Sequence, residues 1–191
     1  MVQLDLILPP IIVGMLIIII FRVNAFMMDS SIDTRIFNDM QNFAETASVI
    51  LDDKLRTLNY VLNTTDFTNS DICSNFYKQD GSSDTHCSSI LTYITTNNYK
   101  VTIEKLVEDN TFKISSIEVD ESGNEVGTLV EEIYPLYISE LEFQYTLYRP
   151  NFIRYKIQTE SNPGHHVQAD SELKTVKGFA ERRLFLRNTA I

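Results

Sequence analysis

Leu6-Ile-Leu-Pro-Pro-Ile-Ile-Val-Gly-Met-Leu-Ile-Ile-Ile-Ile-Phe21 is an uninterrupted apolar run of 16 residues, and it decides how the rest of the chain is read. A helix from Leu4 to Met28 would measure about 37 Å, enough to cross a hydrocarbon core of roughly 30 Å. No Lys or Arg precedes the run. Residues 1–28 therefore read as a retained anchor, because a cleaved signal peptide needs a basic start and a small-residue cleavage site. Pro9 and Pro10 have no backbone N–H and are expected in the first helical turn, where amides lack partners anyway. Asp5 is costly to bury ionised and alone. It is expected at headgroup level, protonated, or facing a cation such as an N-terminal amine. Arg22 closes the run and extends it to Val23 if its long stem snorkels. Arg22 and Arg35 are offset by Asp29 and Asp33, so charge at this end sets no orientation.

Beyond Met28 the apolar residues become periodic. Ile32, Ile36, Met40, Phe43, Ala47, Ile50 or Leu51, Leu55, Leu58 and Leu62 recur mostly at steps of three and four, the spacing of one stripe on an α-helix. Neither glycine nor proline occurs between residues 16 and 80, so the membrane helix is expected to continue through 29–66 and to end in the turn-favouring Asn63-Thr-Thr-Asp66. The stripe suits either a coiled-coil dimer or a helix laid on a sheet from the rest of the chain. The second reading also gives that sheet a cover and is preferred.

From Tyr99 the pattern changes to β-branched and aromatic residues alternating with polar ones. Six strands are expected: Tyr99–Leu106, Thr111–Val119, Val126–Tyr134, Ile138–Tyr148, Phe152–Thr159 and about Leu173–Leu186. Asp120-Glu-Ser-Gly-Asn124 and Tyr148-Arg-Pro-Asn151 read as hairpin turns, and 160–171 as a surface insertion. The fold class is therefore α+β, with a long N-terminal helix packed on an antiparallel sheet head of residues 99–191. Residues 67–98, rich in Ser, Thr, Asn and Asp, read as a polar loop carrying Cys73 and Cys87. Two cysteines at this separation suggest a disulfide worth about 3 kcal/mol in an oxidising compartment, against the alternative of two unrelated thiols. The bridge would put the head outside the cytoplasm.

The chain has 191 residues and a formal charge of −10, which gives no electrostatic reason to bind nucleic acid. That charge is unevenly spread: residues 26–148 hold 21 acids and 7 bases, whereas 149–191 hold 4 acids and 8 bases. No glycine-rich phosphate loop, nucleophile elbow or paired zinc motif occurs. His165 and His166 are adjacent and expected to be solvated, with a metal role alongside Asp170 or His86 as the lesser alternative. Acidic residues between Glu118 and Glu125 lack calcium-loop spacing and read as a solvated turn. No catalytic residue, metal site, cofactor or small-molecule substrate is expected.

An apolar N-terminal helix, an acid at the fifth residue, a seamless amphipathic extension, a loop with a cysteine pair and then antiparallel strands resemble a type IV pilin, minor pilin or pseudopilin. Leu141-Glu-Phe-Gln-Tyr145, Phe152-Ile-Arg-Tyr-Lys-Ile-Gln-Thr-Glu160 and Phe179-Ala-Glu-Arg-Arg-Leu-Phe-Leu-Arg-Asn188 are similar to the closing strands of larger members. In that family the fifth residue of the mature chain is glutamate and pairs with the amine of a neighbouring subunit. The resemblance implies that role for Asp5 and for the amine of Met1, and it places Met1, Asp5, Pro9, Pro10 and Arg22 in subunit assembly. It further implies a non-enzymatic subunit of a pilus-like extracellular filament or secretion pseudopilus. Such a subunit is held in the inner membrane by one span, with its head periplasmic or extracellular. Its partners would be membrane lipid before assembly and copies of itself or related pilins afterwards. A membrane-anchored binding or sensor domain, or a membrane protein of a lipid-containing virion, is the alternative of another class.

Overall fold

The computed structural model describes residues 4–62, 86–106, 110–145, 152–161 and 175–186, with side chains from Pro9 onward and excluding that of His86. Met1, Cys73, His165, His166, Asp170, the 148–151 turn and the 162–171 part of the insertion lie outside the described residues.

One helix, α1 (Leu4–Leu55), runs for 52 residues, or about 78 Å. Nine strands follow among the described residues. They are β1 (Leu58–Val61), β2 (His86–Ser88), β3 (Ile90–Thr95), β4 (Tyr99–Leu106), β5 (Thr111–Glu118), β6 (Val130–Tyr134), β7 (Ile138–Tyr145), β8 (Phe152–Glu160) and β9 (Lys177–Phe185). They form two antiparallel sheets, ordered β1-β3-β4-β5-β6 and β2-β7-β8-β9. The class is α+β, with two sheets in place of the single one expected.

The helix stops eleven residues short of Asp66. Arg56 donates to the Asp52 carbonyl, and the N–H and hydroxyl of Thr57 both donate to the Lys54 carbonyl, so the last turn closes on itself. Leu58 then enters β1, which carries a bulge between Leu58 and Tyr60. The bulge lets a strand bury Leu58 and Val61, three positions apart, and that spacing mimics a helical stripe. The expected polar loop 67–98 likewise contains β2 and β3. Leu91 and Tyr93 of β3 are fully buried, although they sit among polar neighbours that lowered the average hydropathy of the region.

The core lies between the sheets and the C-terminal part of α1. Ala44, Ala47, Leu51 and Leu55 meet Leu91, Tyr93, Ile103, Phe112, Phe143, Tyr155 and Ile157. Small side chains on α1 permit close approach to β9, where Gly178 lies beneath Met40. Hydrogen bonds set the axial register. The Thr159 hydroxyl donates to the Met40 carbonyl at 2.8 Å, and the buried Tyr155 hydroxyl donates to the Ser48 carbonyl at 2.8 Å and to the Asp52 carboxylate. Burial pushes the Tyr155 hydroxyl far above the usual tyrosine range, and the bond to Asp52 adds to that shift. The Tyr93 hydroxyl, also raised by burial, donates to the Lys54 carbonyl at 3.1 Å.

A Cβ on Gly178 would lie 2.4 Å from the backbone C and O of Met40 and 2.7 Å from the N of Gln41. Neither helix backbone nor strand can yield locally. Gly178→Ala is therefore expected to push α1 off β9 and to destabilise the head by about 1–3 kcal/mol, read as a lowered thermal midpoint of the full-length protein in detergent. An unchanged midpoint would refute this close-packed joint.

Candidate functional site: the bare half of the helix

α1 is one helix with two environments. From Met40 to Leu55 its inner face is buried, with Ala44, Ala47, Ser48, Leu51 and Leu55 all at 0% exposure. From Pro9 to Asp39 no residue is buried. The preferred stripe therefore packs on the head only from Met40 onward. Ile32 is exposed and Ile36 only partly covered, so both stand below the head.

The bare half is also the most apolar part of the molecule. Every Ile, Leu, Val, Met and Phe described from Ile11 to Met28 is exposed. This one helix is long and apolar enough to cross a membrane, with a mean hydropathy of 2.4 over its most apolar window and none of that window buried. Fourteen such side chains in water would be a gross violation of ordinary surface composition. The described helix reaches about 54 Å below Met40, which leaves a polar stalk between the apolar run and the head. Phe26, Met27, Ser30, Ser31, Thr34, Arg35, Asn38 and Asp39 line a shallow groove along that stalk.

The expected assembly residues fall at one end of this segment. Asp5 lies in the first described turn, with its side chain outside the described atoms. Pro9 and Pro10 are inside the helix and not in its first turn, which begins at Leu4. A proline there cannot donate to the carbonyl four residues back, so the carbonyls of Asp5 and Leu6 lose their usual intrahelical donors. Freed carbonyls demand water or another donor, which favours an interfacial position for this end. Arg22 is exposed at the other end of the apolar run.

Elsewhere the described residues of the head offer little concentrated chemistry. The 118–125 turn is tied to itself: the Asp120 carboxylate accepts from the N–H groups of Ser122 and Asn124 at 2.9 and 2.8 Å and from the Asn124 side chain at 3.1 Å. Those bonds, led by Asn124, hold the Asp120 carboxyl below its ordinary value, and Gly123 supplies the positive φ of 84° that the turn requires. Among the described residues no group of three His, Cys, Asp or Glu could hold a metal ion. Cys87 is fully buried on β2, and the described residues hold no free cysteine. Lys156 and Glu142, nearly buried on the outer face of the β7–β8 pair, were not singled out by sequence. Burial holds the Lys156 amine below its usual range. Only the alternation of β8 hinted at them, and alternation assigns them to solvent.

Ile18→Lys, placing a cation in the middle of the span, is expected to disfavour insertion by about 3 kcal/mol while the head melts as before. Carbonate extraction of membranes checks this, and retention of the variant in the pellet at wild-type level would contradict a lipid-embedded helix.

No protein-family model matches the chain, and neither a curated protein nor a solved structure matches it significantly.

Proposed function

We propose that this chain is a non-enzymatic structural subunit of a type IV pilus-like extracellular filament or secretion pseudopilus. It sits in the inner membrane by its single helix before assembly and carries its head in the periplasm or outside. The observation that supports this reading most is the division of α1, whose inner face is buried from Met40 and which below it has no buried residue from Pro9 to Asp39, a polar stalk leading down to an exposed apolar run. A plain anchor needs only about 20 apolar residues next to its domain. Here a continuous helix extends past the span by a further polar stretch before reaching the head, a form suited to bundling among copies. Withdrawing the apolar surface from lipid into a shared helical core lets each subunit exchange one apolar environment for another while gaining packing and paired polar groups. In such a core Asp5 neutralises the amine of a neighbouring chain, and Pro9 and Pro10 leave carbonyls for neighbouring donors.

Asp5→Ala is expected to abolish filaments seen by electron microscopy in cells expressing the chain with its assembly machinery, while the head of residues 29–191 still melts cooperatively. Normal filaments from the variant would remove Asp5 from assembly. Isolated particles alone, from the unaltered chain, would favour an anchored binding or sensor domain, or a virion membrane protein.

In an oxidising compartment Cys73 and Cys87 form one intramolecular bridge. Mass measurement after alkylation without reduction is expected to find neither thiol labelled. Two labels would overturn the bridge.

A further inference from the structure

Two of the four edge strands among the described residues, β6 and β9, differ in charge and in direction. β6 closes one side of the five-stranded sheet and β9 one side of the four-stranded sheet. Among the described residues no backbone bond joins the outer edge of β6 to another element. Leu129, Val130, Glu131 and Ile133 are all exposed, so this edge is at once open and apolar, a combination that isolated proteins avoid. Glu131 lies 3.3 Å from Lys113, but Lys113 already has Glu104 at 2.8 Å, so the edge keeps a surplus negative charge.

The edge of β9 is half closed. The Gln41 carboxamide donates to the Phe179 carbonyl at 2.9 Å and accepts from the Phe179 N–H at 3.2 Å. The backbone groups of Phe179 therefore point away from β8, and the two-residue period of a strand directs those of Glu181, Arg183 and Phe185 the same way. Glu45 holds Arg182 at 2.8 Å, and beyond that point no described element follows the edge. Arg183 is exposed without an ion-pair partner among the described residues. Beside it Phe185, 61% exposed, meets Phe152 edge-on at 5.2 Å.

Direction supplies the second constraint. β9 runs with α1, because Gly178 lies at Met40 and Arg182 at Glu45. β6 and the link after it run against α1, because Glu132 binds Lys54 at 2.8 Å and Tyr137 contacts Phe43 at 5.5 Å. Copies inserted in one membrane with one orientation hold their α1 helices parallel. Their β9 and β6 edges then meet antiparallel, as a plain strand pair requires. The nine residues from Glu45 to Lys54 set the offset between neighbours at about 13 Å along the axis.

We propose that the open end of β9 in one copy pairs with the outer edge of β6 in the next, with Arg183 opposite Glu131 and Phe185 opposite Leu129. This interface rests on the assembly reading above and names the part of the head that assembly uses. The two edges are different surfaces, so the contact is heterologous and extends from copy to copy without closing into a two-fold dimer.

The test uses the full-length protein in membranes and detergent, with multimers counted by native electrophoresis and electron microscopy. Arg183→Glu and Glu131→Lys are each expected to lower the multimer fraction roughly tenfold, since like charges then face each other. The double variant is expected to restore it. Arg183→Glu loses no ion pair to a described residue of its own subunit, so its melting curve is expected to match the unaltered chain. Multimers unaffected by either change, or not regained in the double variant, would overturn the interface and leave the assembly reading standing. An unaltered chain that never multimerises would overturn both.

Discussion

The structure depends on the approach of α1 to β9. Gly178 lets the strand backbone reach the backbone of Met40, and Ala44 and Ala47 keep the contact free of bulk farther along the helix. Gln41 then fastens α1 to β9 through the Phe179 backbone, and Thr159 and Tyr155 of the neighbouring β8 fix the helix at set heights through its carbonyls. Every other feature is arranged around this joint. The second sheet closes over Leu51 and Leu55, and the core fills between the layers.

That joint also explains why the helix can be so long. Only its last sixteen residues carry buried side chains, and from Pro9 to Asp39 none is buried among the described residues. A bare helix of this length in water depends on propensity, and an Ile-rich run has little to spare. In a hydrocarbon environment the same run is held helical because no other conformation satisfies its backbone. On the reading proposed above, the membrane or a bundle of copies is part of the folding environment of this chain.

Much of the architecture was legible in the residues. The apolar run of Leu6–Phe21 located the part of the helix that is long and apolar enough to cross a membrane, and period-two alternation located β4, β5, β7 and β8 within a residue or two at most described ends. Three things were not legible, each for a physical reason. The helix end was hidden because the bulge in β1 buries Leu58 and Val61 at a helical spacing. β2 and β3 were hidden by the polar composition around them, which masked the short apolar alternation Leu91, Tyr93. The division into two sheets was hidden because pairing order is a long-range property that periodicity does not encode. Within the candidate site, the sequence located the apolar surface but misplaced Pro9 and Pro10, since propensity put the helix start at the prolines and the helix begins at Leu4. The open edges of β6 and β9 had no local signal beyond the acidic centre and basic tail of the charge pattern.

Gln41 plays the part of a one-residue strand, and its consequence is mechanical. Because β9 lies alongside α1 and points the same way, a pull along the helix does not peel the joint open bond by bond. It loads the Gln41–Phe179 pair, the Thr159 and Tyr155 bonds and the Gly178 contact together, in shear. Detaching the rod from the head then requires all of them to yield at once, so the head travels wherever its helix is drawn.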